Sequence, residues 1–227
     1  MGFSGSVISR FAPSAPQRNH FRDRTRSSQK KNQKTQALTN PSGITILPPQ
    51  TKYTVPAIHH IPTNTYLMDS SPIAAFLCNL HPSPPLTLTS PLGTEIETAM
   101  RAAGGPAWRR SITPRELAIL SPRAAEYFRS TREAALGSFD ELLNPEEEEK
   151  TWQEADEKMK AVGDMMRKNV ELGPFVLGGE VSMTDFVIAA HLQLAKVVDE
   201  GVLERMRGYK GFGEIYEACL EWMEKRD

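Results

Sequence analysis

The chain has 227 residues, of which 39% are hydrophobic and 24% are charged, and its formal net charge is −1. This length suffices for one or two domains with a buried core. No stretch approaches the ~18 apolar residues of a membrane-spanning helix, so an integral membrane protein is not expected. Two cysteines far apart in sequence, Cys78 and Cys219, argue against a disulfide-rich scaffold and favour a reducing compartment.

The first 52 residues carry a net positive charge. They hold nine Lys and Arg residues and one acidic residue, Asp23, which leaves a net charge of −9 on residues 53–227. Residues 1–42 are polar and lack sustained periodicity, so they are predicted to be disordered. Their Ser- and Arg-rich, acid-poor composition is also that of a mitochondrial transit peptide, an alternative to the favoured cytoplasmic location, and a wrongly assigned start of the gene is a third interpretation. Nucleic-acid binding is not expected, because aromatic residues do not alternate with the basic ones.

Residues 43–68 contain short segments typical of β-strands. Gly43–Leu47 is a β-prone run closed by prolines, and Tyr53–Ile61 and Tyr66–Met68 are predicted to form a hairpin around a short turn. Pro56 lies inside the first strand of that hairpin. Because proline interrupts a ladder of hydrogen bonds, it predicts a bend or a cis peptide bond at this position.

A helix is predicted directly after the hairpin. Asp69 and Ser70 are residue types that cap helices, Pro72 suits a first turn, and the apolar residues that follow reach to about Asn79. Taken alone, these residues indicate only a capped helix. Residues 81–93 are rich in proline and have the composition of a linker.

Residues 94–227 are predicted to be entirely helical. A helix near residue 94 is expected to end at Gly104-Gly105-Pro106, and others are predicted to start near Thr113, Ser121 and Asn144. The helix after Asn144 is expected to extend to Gly173. Five of its residues recur at alternating spacings of three and four, which predicts one buried stripe: Trp152, Ala155, Met159, Val162 and Met166.

A capping box is predicted within the segment Gly173–Leu192. Ser182 is the expected N-cap of a helix, and the carboxylate of Asp185, three residues on, is expected to accept from the backbone N–H of Ser182. Many helices use such a box, so this motif alone does not indicate a family.

The segments Tyr53–Leu77 and Gly173–Leu192 together resemble the glutathione S-transferases, and within that superfamily they are most similar to the fungal branch. Glu126–Leu142 is similar to the same branch. The resemblance covers roughly residues 53–225, with two motifs in the right order and about the right distance apart.

This resemblance implies an α+β fold in two domains. Residues 43–80 would form a partial thioredoxin-like N-terminal domain (β-β-α), and residues 81–93 would link it to an all-α glutathione transferase C-terminal domain at residues 94–227. The box at Ser182 and Asp185 would serve folding and not chemistry.

The resemblance also implies a function, namely binding glutathione and conjugating or transferring it to a hydrophobic electrophile. The backbone of Val55, turned toward the ligand by Pro56, would pair with the tripeptide. Ser70 would hold the γ-glutamyl carboxylate through its N–H and hydroxyl groups, and Asp69 would accept from the ligand's ammonium group. Glutathione would be a co-substrate, and neither a further cofactor nor a metal site is expected.

The sequence leaves open whether the chain is an enzyme. In this family the group that activates the thiol lies at the start of a first helix, within a β-α-β unit that precedes the Val-Pro strand. Residues 1–52 contain no segment that matches this unit, so no catalytic residue is assigned. A non-catalytic binding module of the same fold, with a partner or as a homodimer, is the alternative hypothesis. Trp108 and Tyr127 are candidates to line a hydrophobic pocket between the domains, and core packing is the alternative for both.

Overall fold

The structure, a computed structural model, describes residues 56–223. Contacts divide the chain between Ile73 and Ala74, inside the first helix. The basic tail, the β-prone segment Gly43–Leu47 and the binding residue Val55 lie outside the described residues. What the sequence indicates about those three features stays a prediction.

Two strands and eight α-helices make up the described part of the chain, with three short 3-10 helices at Ile61–Thr63, Arg115–Ile119 and Val170–Leu172. The strands are β1 (Ala57–His60) and β2 (Thr65–Met68). The helices are α1 (Ser70–Leu80), α2 (Pro91–Ser111), α3 (Pro122–Leu136), α4 (Phe139–Leu142), α5 (Pro145–Met166), α6 (Met183–Val198), α7 (Glu200–Arg207) and α8 (Phe212–Met223). None of these helices is long and apolar enough to cross a membrane.

The predicted hairpin is confirmed. β1 pairs with β2 in antiparallel register, with Ala57 opposite Met68 and His60 opposite Thr65. The turn ends at Asn64, whose φ of 49° is a left-handed conformation that asparagine tolerates. Along β2 the side chains alternate between buried and exposed, as a strand with one covered face requires.

Helix α2 continues through the Gly-Gly-Pro segment, so the predicted break at residues 104–106 is wrong. Gly105 has no Cβ to clash with the ring of Pro106, which removes much of the penalty on a helical residue before proline. Ala103 and Ala107, on either side, are buried in the core of the helical unit. A Cβ on Gly104 would approach the Met159 sulfur of α5 to 2.9 Å. Close packing of α2 on α5 therefore outweighs the hydrogen bond that Pro106 cannot make.

Two other predicted helix boundaries also differ from the structure. The helix expected near Thr113 is a single 3-10 turn, Arg115–Ile119, and its N-cap is Pro114, which makes no side-chain cap. The helix after Asn144 ends at Met166, and not at Gly173. Its predicted start is confirmed, because the Asn144 side chain accepts from the N–H groups of Glu146 and Glu147.

The core of the helical unit lies between α2, α5, α6, α7 and α8. The five residues of the predicted α5 stripe are all buried in it, which confirms the helical period. Trp152, at the head of the stripe, donates its ring N–H to the Ser111 hydroxyl at 2.9 Å. A buried indole is thus paired with one of the few buried hydroxyls, and neither polar group is left unsatisfied.

Candidate functional site

Asp69 joins the hairpin to helix α1 in an unusual backbone conformation. Its φ is 71°, in the left-handed region that is uncommon outside glycine, although asparagine and aspartate adopt it more often than other residues. Its N–H donates to the Pro56 carbonyl at 3.0 Å, and its own carbonyl accepts from the Ile73 N–H at 3.2 Å. The same residue therefore closes the hairpin and makes the first hydrogen bond of the helix.

Ser70 is the first residue of α1, and both Asp69 and Ser70 are exposed. Among residues 56–223, no group lies within hydrogen-bond distance of the Asp69 carboxylate or the Ser70 hydroxyl. Backbone N–H groups at a helix start lack partners within the helix and lie at the positive end of its dipole. This corner therefore offers an anionic acceptor beside donors that suit a carboxylate.

The structure brings three of the four predicted glutathione-binding residues together. Pro56 is linked to Asp69 by the hydrogen bond described above, and Ser70 follows Asp69 in the chain. Val55 precedes Pro56 but lies outside the described residues. The sequence indicated the residue types of this corner. The positive φ of Asp69 was not predicted, and it accompanies a hydrogen bond to Pro56, thirteen residues earlier, that no local pattern records.

The predicted capping box at Ser182 and Asp185 is present at the start of α6. The Asp185 side chain is fully buried, and one of its oxygens accepts from the N–H and hydroxyl groups of Ser182 at 2.8 and 2.6 Å. Its other oxygen accepts from the Val176 N–H at 2.8 Å. The box thus ties the loop before α6 to the helix, and its buried carboxylate acts as a structural group.

The proline-rich segment before α2 also contacts this box. Thr87 forms a parallel bridge with Ser182, and its carbonyl accepts from the Met183 N–H at 2.9 Å. No pattern in residues 81–93 indicated this pairing, since it joins residues almost a hundred positions apart. Part of the predicted linker is thus held against the start of α6.

Trp108 and Tyr127, the two candidates for a hydrophobic pocket, lie in different environments. Trp108 is half-buried and lines a cavity of about 180 Å³ within the helical unit. Tyr127 is 72% exposed and does not line that cavity. The ring of Trp108 meets that of His191 edge to face, with 5.3 Å between the ring centroids. His191 was not singled out from the sequence.

The family model for the glutathione S-transferase C-terminal domain matches residues 95–215. This chain belongs to the glutathione S-transferase family. The match covers more than half of the chain and spans α5, α6 and the capping box. The fold expected of this chain, a partial thioredoxin-like part followed by an all-α domain, is thereby confirmed.

Three proteins similar to this chain come from fungi. A glutathione S-transferase-like protein of Aspergillus flavus is 26% identical over 198 residues, which cover 76% of this chain and 68% of the relative. A glutathione S-transferase of Ceriporiopsis subvermispora, crystallised with glutathione, is 26% identical, with a TM-score of 0.64 over 81% of this chain and 77% of that one. A second transferase from the same fungus, also crystallised with glutathione, shares the fold at 22% identity and a TM-score of 0.63, covering 75% of this chain and 70% of that one.

Proposed function

We propose that this chain binds glutathione at the corner between β2 and α1, and that it conjugates or transfers glutathione to a hydrophobic electrophile. The observation that carries the proposal is the left-handed conformation of Asp69. Non-glycine residues in this region cost of order 1–3 kcal/mol and cluster at ligand sites. Membership of the transferase family, with a 26% identical relative crystallised with glutathione, supports the same ligand.

The chemistry of the corner matches the γ-glutamyl end of glutathione. This end carries a carboxylate and an ammonium group. The N–H and hydroxyl of Ser70 are donors for the carboxylate, which the positive end of the α1 dipole also favours. The exposed Asp69 carboxylate is an acceptor for the ammonium group. A hydrogen bond to a charged group contributes about 1.5–3 kcal/mol.

Ser70→Ala is therefore expected to weaken glutathione binding about tenfold or more, because it removes one charge-assisted hydrogen bond. The measurement is the dissociation constant by titration calorimetry, together with retention on immobilised glutathione. Ser71→Ala is the matched control, since Ser71 is the next residue of the helix and is also exposed. Equal losses in the two variants would contradict the role of Ser70.

Asp69 requires a substitution that keeps its backbone conformation. Asp69→Gly retains a φ of 71° without strain and removes only the carboxylate, whereas Asp69→Ala would change both. We expect Asp69→Gly to fold and to bind glutathione at least several-fold more weakly. Folded wild-type protein that does not bind glutathione at millimolar concentration would refute the whole proposal.

Conjugation requires more than binding, because a free thiol with a pKa of about 8.5 is mostly protonated at neutral pH. The proposed co-substrate is a hydrophobic electrophile. With an aryl halide, the glutathione thiol loses its proton to solvent, its sulfur forms a C–S bond, and the carbon–halogen bond breaks to release halide. Turnover of an aryl halide with glutathione measures this step separately from binding. The free thiols of Cys78 and Cys219 support a reducing, cytoplasmic compartment for this activity.

A second candidate function is a non-catalytic interaction module, and helix α3 favours it. None of the 15 residues of α3 is buried, and Tyr127 on this helix is 72% exposed. An amphipathic helix normally buries one stripe, so a surface of this kind suits contact with a second copy of the chain.

In that case Tyr127→Glu should shift a homodimer toward monomer, because a carboxylate would be buried at the contact without a partner. Sedimentation equilibrium measures the dimer dissociation constant. Val197→Glu, which changes an apolar residue of α6 that is 54% exposed, is the control for adding a surface charge. A wild-type protein that stays monomeric at high concentration would rule out this contact.

A further inference from the structure

The cavity beside Trp108 has a lining suited to one small aromatic molecule. Its volume is about 180 Å³, and its lining is mainly apolar. A dry apolar cavity of about 150 Å³ holds one benzene ring, so this volume suits a single ring with one or two substituents. The apolar and aromatic residues that line it include Met100, Met159, Met206, Val187 and Trp108.

The three methionines make this lining adaptable and attractive to a ring. Met100, Met159 and Met206 come from α2, α5 and α7, and each is no more than 9% exposed. Thioether sulfurs make favourable contacts with aromatic rings at about 5 Å, and the unbranched side chain adjusts to irregular shapes. Three helices thus direct soft, polarisable groups to one cavity.

His191 lines the cavity and has one ring nitrogen with a defined role as an acceptor. Its Nδ1 lies 2.8 Å from the Val187 carbonyl oxygen, which can only accept, so Nδ1 carries the hydrogen. In the neutral ring Nε2 is then an acceptor, and it has no hydrogen-bond partner among residues 56–223. No fully buried polar side-chain atom in that range lacks a partner, so Nε2 is reachable from solvent.

The charged groups at this cavity balance each other. Glu97 and Arg101 both line it, and the Glu97 carboxylate already accepts from the Thr184 hydroxyl at 2.8 Å. Neither sign of charge is in excess, so a neutral ligand is favoured over an ionised one.

We propose that this cavity is a binding site for a compact, neutral aromatic molecule that carries one hydrogen-bond donor, such as a small phenol. The ring packs between the three methionines and Trp108, and the donor bonds to Nε2 of His191. The site does not depend on glutathione, and all of its lining residues belong to the helical unit.

Two isosteric probes, p-cresol and p-xylene, test the proposal on the full chain without glutathione. Methyl-¹³C-methionine spectra report the site directly. We expect p-cresol to move the resonances of Met100, Met159 and Met206, assigned by single Met→Leu variants, and to leave Met223, which does not line the cavity, unchanged. Binding of p-cresol should be about fivefold tighter than that of p-xylene, as one hydrogen bond predicts.

Two kinds of substitution test the His191 acceptor and the cavity volume separately. His191→Leu should reverse the preference and bind p-xylene more tightly, because the hydroxyl of p-cresol would lose water without gaining an acceptor. Val187→Phe should fill the cavity and abolish the shifts for both. If Val187→Phe fails to fold, Val187→Leu serves instead, because it adds only one methylene group at the same lining residue and should weaken binding of both probes.

The proposal is overturned if p-cresol moves no lining methionine selectively, or if the shifts persist in a folded variant with the cavity filled. It is equally overturned if wild-type protein binds p-cresol and p-xylene alike. Because glutathione is absent from these titrations, failure here leaves the proposed glutathione site untouched, and the converse also holds.

Discussion

At the scale of single residues, the two free thiols of this chain differ in how deeply they are buried. Cys219 is fully buried on α8, and burial, followed by the nearby carboxylates of Asp185 and Glu221, raises the pKa of its thiol to about 12. Cys78 on α1 is half-buried. The thiolate is the reactive form of cysteine, so the two side chains are expected to differ strongly in reactivity.

We therefore expect a thiol reagent to modify one cysteine per folded chain, Cys78, at pH 8, and to reach Cys219 only on unfolding. Mass spectrometry after a short exposure to iodoacetamide measures this. Cys78→Ser should remove the rapid reaction completely. Rapid labelling of Cys219 in that variant under native conditions would show that α8 opens far more readily than its burial implies.

The residue type of Asp185 is closely determined by its surroundings. Its carboxylate is fully buried and accepts three hydrogen bonds, from Val176 and from two groups of Ser182. A carboxylate without such donors would not be tolerated at this position. The capping-box pattern identified Ser182 as its partner, because three residues separate them. The contact with Val176 could not be predicted, since it depends on the path of the preceding loop.

At the scale of helices, glycine marks where one backbone approaches another. Gly163 of α5 is buried, and a Cβ placed on it would lie 2.1 Å from the Lys210 carbonyl oxygen, in the loop before α8. Backbone cannot move aside as a flexible side chain can. The absence of a side chain at Gly163 therefore permits this loop to pack on α5.

Gly163→Ala is accordingly expected to destabilise the protein by about 2 kcal/mol or more, although intrinsic helix propensity alone would predict a gain of about 1 kcal/mol. Denaturant unfolding of the two proteins gives the difference. Ala161→Gly is the control, because Ala161 is exposed on the same helix and its loss should cost about 1 kcal/mol. Both the glycine-to-alanine and the alanine-to-glycine substitution should thus destabilise the protein. A stabilised Gly163→Ala variant would show that the loop containing Lys210 can shift away from α5.

The Gly-Gly-Pro segment of α2 shows why such positions are misread from sequence. Local propensity favours a break at Gly104-Gly105-Pro106. In the structure the helix continues, because Ala103, Gly104 and Ala107 pack closely in the core with α5. Propensity acts over a few residues, whereas the packing partner Met159 lies more than fifty residues further on.

At the scale of the whole molecule, Arg115 connects three helices of the helical unit. Its guanidinium donates to both carboxylate oxygens of Glu148 at 3.1 and 2.9 Å, and to the Ser111 carbonyl at 2.6 Å. It also lies 3.0 Å from the carboxylate of Asp199, the N-cap of α7. The end of α2 and the starts of α5 and α7 thus meet at one partly buried cation.

Arg115→Met should lower the free energy of unfolding by about 2–3 kcal/mol, because it leaves two partly buried carboxylates without their partner. Arg115→Lys should recover only part of this, since an ammonium group cannot form the bidentate pair. Thermal and denaturant unfolding measure both variants. Lys160→Met, at a more exposed ion pair with Asp156, is the control and should change stability little. Comparable losses at the two sites would contradict the special role of Arg115.

Several features of this protein could be determined from the sequence by itself. The hairpin, the start of α1 at Asp69-Ser70, the buried stripe of α5 and the box at Ser182 and Asp185 are all set by residues within a few positions of one another. Cap residues, the alternation of apolar and polar residues and the helical period are local properties of the chain, so they can be recognised from the sequence.

The tertiary structure alone decided the rest. The left-handed backbone of Asp69 occurs together with its hydrogen bond to Pro56, and the pairing of Thr87 with Ser182 joins distant segments. The cavity beside Trp108 exists because α2, α5, α6 and α7 converge there. Each of these features depends on groups far apart in sequence, whose packing and hydrogen-bond energies no local pattern records.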